Sequence, residues 1–333
     1  MLADPGPLRG YRGARVLVTG ATGFIGAAVA RRVAACGPQL WLAGRDGERL
    51  NAVAADCAGA AGCLADLSRP GEFARVYREA RPAVVINLAG YGVDRDERDP
   101  LLAAALNTQL PAEMATTMAQ DRECDWGGMR LVHAGSSFEY GRVDGPVRED
   151  SPARPISDYG RSKLAGAGKV LDARQLLGLR GVVARLFIVY GPGEHPTRLL
   201  PSLIGLAGAA GTLRLTAGQQ RRDFTYVGDV AEGLLRLGLA GQCPGVVNLA
   251  TGAHTSVREF AECAAELLGL WPQQLQFGAL PYREDEVAQG PADISLLRGT
   301  LNWAPRFTVR EGIRETIRMH NRTPAASGKG RAG

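Results

Sequence analysis

Val16-Leu17-Val18-Thr19 runs directly into Gly20-Ala21-Thr22-Gly23-Phe24-Ile25-Gly26, and that junction restricts the fold more than any other stretch of the chain. An uninterrupted apolar triplet suits a parallel strand buried on both faces. The three glycines fall three apart, and from Ala27 the sequence AAVARRVAAC has helical composition and spacing. Strand, glycine turn and helix in that order build an anion cradle. Gly20 permits the tight turn, Gly23 lets the backbone approach phosphate oxygens, and Gly26 lets helix and strand pack closely. Thr22, Phe24 and Ile25 belong to the same turn, and the free N–H groups at the helix start receive a pyrophosphate. A glycine triplet is weak evidence in a chain with 44 glycines, so the rest of the sequence must carry the argument.

The chain has 333 residues, more than a typical single domain, and its 45% hydrophobic and 22% charged residues are ordinary for a globular protein. A net charge of +5 on scattered arginines, with only 6% aromatics, argues against a nucleic-acid surface and suits a small anionic substrate. The six cysteines are dispersed with no CxxC spacing, as in a reduced, cytoplasmic protein. No apolar run reaches membrane-spanning length and no secretory leader is visible, so the expectation is a soluble cytoplasmic protein without membrane contact. No metal-ligand motif is present.

The order of elements predicts an α/β fold. Residues 1–12 read as a loose arm. A second strand at 39–43 leads to Gly44-Arg45-Asp46, where an acid would accept from the ribose 2′-OH of NAD and an Arg would pair with the 2′-phosphate of NADP. Gly44 stands at the acidic position with Arg45 next, which favours NADP(H). NAD(H) stays open, because a one-residue slip would bring in Asp46. Asp66 and Leu67 follow a third strand, and Asp66 is also a candidate N-cap for a helix at 69–80. A strand at 83–88 ends in Leu88-Ala89-Gly90, small enough at its tip for a cofactor to pass over. A helix at 101–120 carries Asn107. The fifth strand, at 129–134, opens into Gly135-Ser136-Ser137-Phe138-Glu139-Tyr140-Gly141. A further strand is expected at 181–189, irregular structure after 194, and disorder over 321–333.

Tyr159 and Lys163 lie four apart at a helix start and so project from one face. A free phenol titrates near 10, and a nearby ammonium favours the phenolate. Ser136, at the end of the preceding strand, is placed to hold a substrate oxygen against Tyr159. Tyr159 would then be the general acid in a reduction or the base in an oxidation.

In this order and spacing the glycine turn, Ser136, Tyr159 and Lys163 resemble the TGxxGxxG turn and Ser-Tyr-Lys triad of the extended short-chain dehydrogenase/reductases. The likeness runs over residues 14–320. Tyr190-Gly191-Pro192-Gly193 and Arg222-Asp223-Phe224-Thr225-Tyr226-Val227 look like signatures of the branch that epimerises, dehydrates and reduces nucleotide sugars. The resemblance implies a Rossmann-type doubly wound parallel sheet with a smaller C-terminal substrate-binding domain. The cofactor domain is expected at 14–190 with about 223–250 returning to it. The sugar-nucleotide domain is expected at 191–222 and 251–320, and flexible ends at 1–12 and 321–333. The resemblance also places Asp66 at the adenine and Asn107 on the helix behind the site. It puts Lys163 on the nicotinamide ribose and Arg222 and Arg283 on the substrate diphosphate, with Asn248 nearby, and it implies a homodimer.

The residues after Ser136 separate the reactions of the branch. Its 4,6-dehydratases carry an Asp-Glu pair there, whereas this chain has Ser137 and Phe138, neither able to act as acid or base. The stretch SSFEYG looks instead like that of reductases acting on 4-keto-6-deoxy sugar nucleotides. The expected function is reduction of the C4 ketone of such a substrate, with Ser137 and Phe138 beside the sugar. A 4-epimerase holding NAD tightly is the alternative within the branch. A non-catalytic NADP-binding regulator is the alternative outside it.

Overall fold

The computed structural model describes residues 6–92, 97–121, 124–209, 211–282 and 289–322. Strand and helix alternate through the first half: β1 (Arg15–Thr19), α1 (Phe24–Ala34), β2 (Gln39–Gly44), α2 (Gly47–Ala55), β3 (Ala61–Leu64), α3 (Glu72–Ala80) and β4 (Val84–Asn87). Next come α4 (Pro100–Ala104) and α5 (Leu110–Gln120), joined by a π-helical turn at Ala105–Gln109, then β5 (Leu131–Ser136), α6 (Asp158–Leu177) and β6 (Gly181–Leu186). The rest is more irregular. It runs β7 (Ile188–Tyr190), α7 (Leu199–Leu206), β8 (Leu213–Leu215), β9 (Arg221–Arg222), β10 (Phe224–Tyr226), α8 (Val227–Leu239), β11 (Val246–Leu249) and β12 (Thr255–Ser256). It closes with α9 (Val257–Leu268), β13 (Leu275–Phe277), α10 (Ser295–Leu301) and α11 (Val309–Arg322).

Seven strands form one sheet in the order β11-β6-β5-β4-β1-β2-β3, every neighbouring pair parallel. This is the Rossmann-type doubly wound arrangement the sequence predicts. The chain reverses its direction of winding between β1 and β4, and ligands of open α/β sheets bind outside the strand ends at such a point. Successive side chains on a strand face opposite sides. Val16, Val18, Val84 and Ile86 accordingly pack with Val29 and Val33 of α1 and Leu234 of α8. Leu17, Val85 and Leu131 pack on the other side with Met114 of α5 and Val170 of α6. Full burial of such a side chain contributes roughly 1.5–3 kcal/mol, so the two helical layers hold the sheet tightly from both sides.

A third cluster lies outside the sheet. Phe224 stacks on Phe260 at 4.3 Å, Tyr190 meets both rings edge-on, and Leu203 and Ile313 close around them. Phe24 and Ile25, the first two residues of α1, also pack there and link the glycine turn to the C-terminal part.

Three expectations need correction. Residues 6–11 are no loose arm: they form a 3-10 turn with Leu8 and Tyr11 fully buried. The Tyr11 hydroxyl donates to Leu235 O at 2.7 Å, and its ring stacks on Trp126 at 5.7 Å. At the other end, residues 321 and 322 complete α11, while 323–333 lie outside the described residues. The strand expected at 181–189 is two strands, because β6 stays in the large sheet while β7 leaves it to pair with β10. No helix among the described residues is long and apolar enough to cross a membrane.

Candidate active site

The glycine turn has the shape its sequence predicts. Gly20 has φ +64°, and a Cβ there would come within 2.6 Å of Leu88 O and Ala89 N; one on Gly26 would come within 2.0 Å of Gly20 O. No side chain caps the start of α1 after Gly23, so its first N–H groups face the strand ends uncapped by any side chain. A cradle closed to side chains, beside a helix start that lacks a side-chain cap, fits a dinucleotide pyrophosphate. Thr22 turns toward Gly44, where a Cβ would sit 3.0 Å from its Cγ2.

At the rim, Gly44 ends β2 and Arg45 is exposed. Asp46 is taken up as the N-cap of α2, accepting from Arg49 N at 3.0 Å. Asp66 does not cap α3, which begins later, at Glu72. Its carboxylate accepts from the Ser68 hydroxyl at 2.6 Å and backbone N at 3.2 Å, and this holds it below the usual carboxylate range, with Arg69 and Arg45 adding to the effect. Leu67 is buried beside it.

Below the strand tips runs a buried polar chain that sequence reasoning missed. Thr19 Oγ1 donates to Asn87 Oδ1 at 2.7 Å, Asn87 Nδ2 meets His133 Nδ1 at 2.9 Å, and Ala89 N donates to Asn87 Oδ1 at 3.2 Å. Burial drives His133 well below the usual imidazole range, so it is neutral, and the Lys163 charge acts in the same direction. Asn107 is fully buried in the π-helical turn. It donates to Tyr91 O at 2.7 Å and Ser162 Oγ at 2.9 Å and accepts from Tyr91 N at 3.0 Å. Asn107 therefore ties the loop after Gly90 to α6, and its polar atoms are bonded to protein rather than directed at a cofactor.

Ser157 caps α6 by accepting from Gly160 N at 3.1 Å, which puts Tyr159 and Lys163 on successive turns. Lys163 is 4% exposed and donates to Ala134 O at 2.6 Å. Burial lowers it to about 8, opposed by the charge of Glu139. The phenol of Tyr159 moves opposite to expectation: burial pushes it up to about 12, while its hydrogen bond with Ser136 pulls it down. Glu139 and Glu97 raise it and Arg198 lowers it. The structure thus brings Ser136, at the tip of β5, to Tyr159, at the start of α6. Phe138 packs edge-on against the Tyr159 ring.

Ser137 and Phe138 border a narrow crevice with Phe187, Arg222, His254 and Gln289. Gln289 Nε2 donates to Ser137 O at 2.7 Å and Gly141 O at 2.9 Å, a clamp from 152 residues away that no local pattern reveals. Arg222 donates to Arg221 O at 2.8 Å. The Asp223 carboxylate instead accepts from Thr251 and Gly252. Arg283 lies outside the described residues. Asn248 is a correction. It is fully buried in β11, accepts from the Tyr140 hydroxyl at 2.6 Å and donates to Val147 O at 2.9 Å, so it braces the core and does not face the crevice.

A family model described as "NAD dependent epimerase/dehydratase family" matches residues 16–250. The chain is 30% identical over 323 residues to dTDP-6-deoxy-L-talose 4-dehydrogenase (NAD(P)(+)) of Kitasatospora kifunensis, covering 94% of this chain and 98% of that one. It is 29% identical over 324 residues to UDP-glucose 4-epimerase of Mycolicibacterium smegmatis, covering 91% and 97%. Among solved structures, MoeE5 in complex with UDP-glucuronic acid and NAD superposes with a TM-score of 0.77 at 29% identity, covering 92% of this chain and 99% of that one.

Proposed function

The chain belongs to the NAD dependent epimerase/dehydratase family, and from that premise we propose that it reduces the C4 ketone of a nucleotide-activated 4-keto-6-deoxyhexose with NADPH. At the coarser level it is a nucleotide-sugar-modifying, nicotinamide-dependent enzyme. Phe138 carries the finer reading. Where a dehydratase needs an acid and a base, Ser137 and Phe138 stand, and Glu139 is turned into the core against Arg185. Without those groups elimination of water has no proton relay, whereas transfer of one hydride and one proton at a single carbon needs only the triad. The name of the K. kifunensis relative supports this, since oxidation at C4 of a 6-deoxy sugar is the reverse of the proposed reduction.

When bound, the nicotinamide supplies the hydride. The Ser136 hydroxyl holds the ketone oxygen, and Tyr159 gives that oxygen its phenolic proton as charge develops there. A phenol at about 12 is fully protonated at neutral pH, the state a proton donor requires. Lys163 would hold the nicotinamide ribose and, when charged, would ease the transient phenolate. Arg222 and Arg283 grip the diphosphate. The preference for NADP(H) over NAD(H) is supported at the rim, where Gly44 offers no acid, Arg45 is exposed and Asp46 is engaged as a cap.

The division into a cofactor unit (14–190 with about 223–250) and a sugar-nucleotide unit (191–222 and 251–320) belongs to the same proposal. So does a homodimer, supported by the exposed Leu101 of α4 and Leu176 and Leu177 of α6. Six unpaired cysteines support a cytoplasmic location.

The test is loss of reduced-nicotinamide absorbance on mixing the protein and NADPH with a panel of nucleotide-linked 4-keto-6-deoxyhexoses, with Tyr159→Phe as control. Stoichiometric loss with one sugar, abolished in the variant, is expected. The likeness to the M. smegmatis epimerase favours a second reading, 4-epimerisation on tightly held NAD. No NADPH loss with any sugar, together with NAD released on denaturation, would select it.

A further inference from the structure

Directly beneath the reactive end of β5 lies an ion pair closed off from water. Glu139 Oε2 accepts from Arg185 Nε at 2.7 Å, and the two side chains are 0% and 5% exposed. The other carboxylate oxygen accepts the backbone N–H of Ser136 at 2.7 Å, while Ser136 Oγ accepts from Phe138 N at 3.2 Å. The backbone makes room for this arrangement: a Cβ on Gly135 would come within 2.7 Å of Glu139 Oε1. Arg185 is fixed from its far side, its guanidinium 4.2 Å from the centre of the Tyr140 ring. A buried ion pair is seldom better for stability than apolar side chains of the same volume, because desolvation cancels most of the attraction. Stability alone therefore does not account for a charge at this spot.

We propose that Glu139, anchored by Arg185, is a positioning residue for the reaction: it clamps the Ser136 backbone so that the hydroxyl faces Tyr159, and it holds a negative charge beneath the Tyr159–Lys163 pair. The charged and titratable groups around it act together. Arg185 comes from β6, Tyr140 from the adjacent turn, and Tyr159 and Lys163 from α6; His133 of β5 faces Lys163 and is neutral. Glu139 opposes the desolvation that discharges Lys163, so losing its charge lowers the pH at which Lys163 titrates. The kinetic part of the inference rests on the function proposed above; the titration of Lys163 does not.

The chain contains three lysines, Lys163, Lys169 and Lys329, so Lys163 can be followed by NMR of protein carrying 13C at the lysine ε-carbons and assigned with Lys163→Arg. The wild-type midpoint is expected near 8, and in Glu139→Gln it falls by about one unit. With NADPH and the keto sugar, kcat of that variant falls about tenfold while KM for NADPH stays within about twofold, the pattern of a group that acts in the transition state. An unmoved Lys163 midpoint or an unchanged kcat in folded Glu139→Gln overturns the proposal. If the unpaired Arg185 prevents that variant from folding, Glu139→Gln with Arg185→Gln removes both charges and keeps an acceptor for Ser136 N. The Lys163 midpoint must fall there too, and a wild-type midpoint overturns the proposal. A wild-type protein inactive on every keto sugar strikes the functional reading, and the NMR midpoint then decides this one.

Discussion

Phe138 meets Tyr159 edge to face, with ring centroids 5.9 Å apart and planes at 75°. On the function proposed above, this contact would also orient the phenol that gives up its proton. Such a contact contributes about 0.5–1.5 kcal/mol beyond burial. Phe138→Ala is therefore expected to lower kcat about three- to tenfold while cofactor affinity holds. Steady-state kinetics on the accepted sugar would check this, and an unchanged kcat would remove the orienting role.

Arg45 is exposed at the end of β2 and its charge reaches Asp66. A hydrogen bond to a charged group contributes about 1.5–3 kcal/mol. Arg45→Ala is expected to weaken NADPH binding at least about tenfold and leave NADH nearly untouched. Fluorescence titration with both cofactors reads this directly, and equal losses for the two would argue against a 2′-phosphate contact.

Lys163 gives a stability prediction with a definite sign. Its folded value, about 8, lies below the ordinary lysine value of 10.5, so between these limits the unfolded chain binds more protons and stability rises with pH. Below pH 8 the full penalty of a buried ammonium is present, and above about 10.5 it is gone. Lys163→Met is expected to be more stable than the wild type at pH 7 by roughly 2–4 kcal/mol, at about 1.4 kcal/mol per pKa unit. That gain should shrink as pH passes from 8 to 10. Urea unfolding at several pH values would show it, and a gain independent of pH would refute the account.

Tyr11 is fully buried, stacked on Trp126 and bonded to Leu235 O. Tyr11→Ala is expected to destabilise by about 3–5 kcal/mol, the range for truncating a large buried ring, with cofactor affinity unchanged. A denaturant midpoint equal to that of the wild type would return the segment to the status of an arm.

What was legible in the sequence depended on range. The glycine turn and the Tyr159–Lys163 pair are local patterns, each set by the geometry of one turn, and both stand where their spacing puts them. Tyr11 was misread because one aromatic among Pro and Gly carries no periodicity, and its partners lie more than a hundred residues away. Asn248 was misread because a polar residue on a strand has the same letter whether it faces a crevice or braces the core. Its bonds to the Tyr140 hydroxyl and to Val147 O decide which. The contacts of Glu139 and Gln289 were invisible in the sequence, since Arg185 lies 46 residues from Glu139 and Ser137 lies 152 residues from Gln289. The lowered phenol was expected from a nearby ammonium and the positive nicotinamide ring, whereas burial outweighs every charge around it.

The π-helical turn at Ala105–Gln109 is, in helical terms, one residue more than a regular turn holds. Removing a single residue there would restore an unbroken α-helix from α4 into α5 and move Asn107 out of its present place in that turn. Asn107 would swing off Ser162 and Tyr91, and the loop after Gly90 would lose its tie to α6. The irregularity is thus a unit of length that the chain cannot give up: its loss would disconnect the loop after Gly90 from the helix that carries Tyr159.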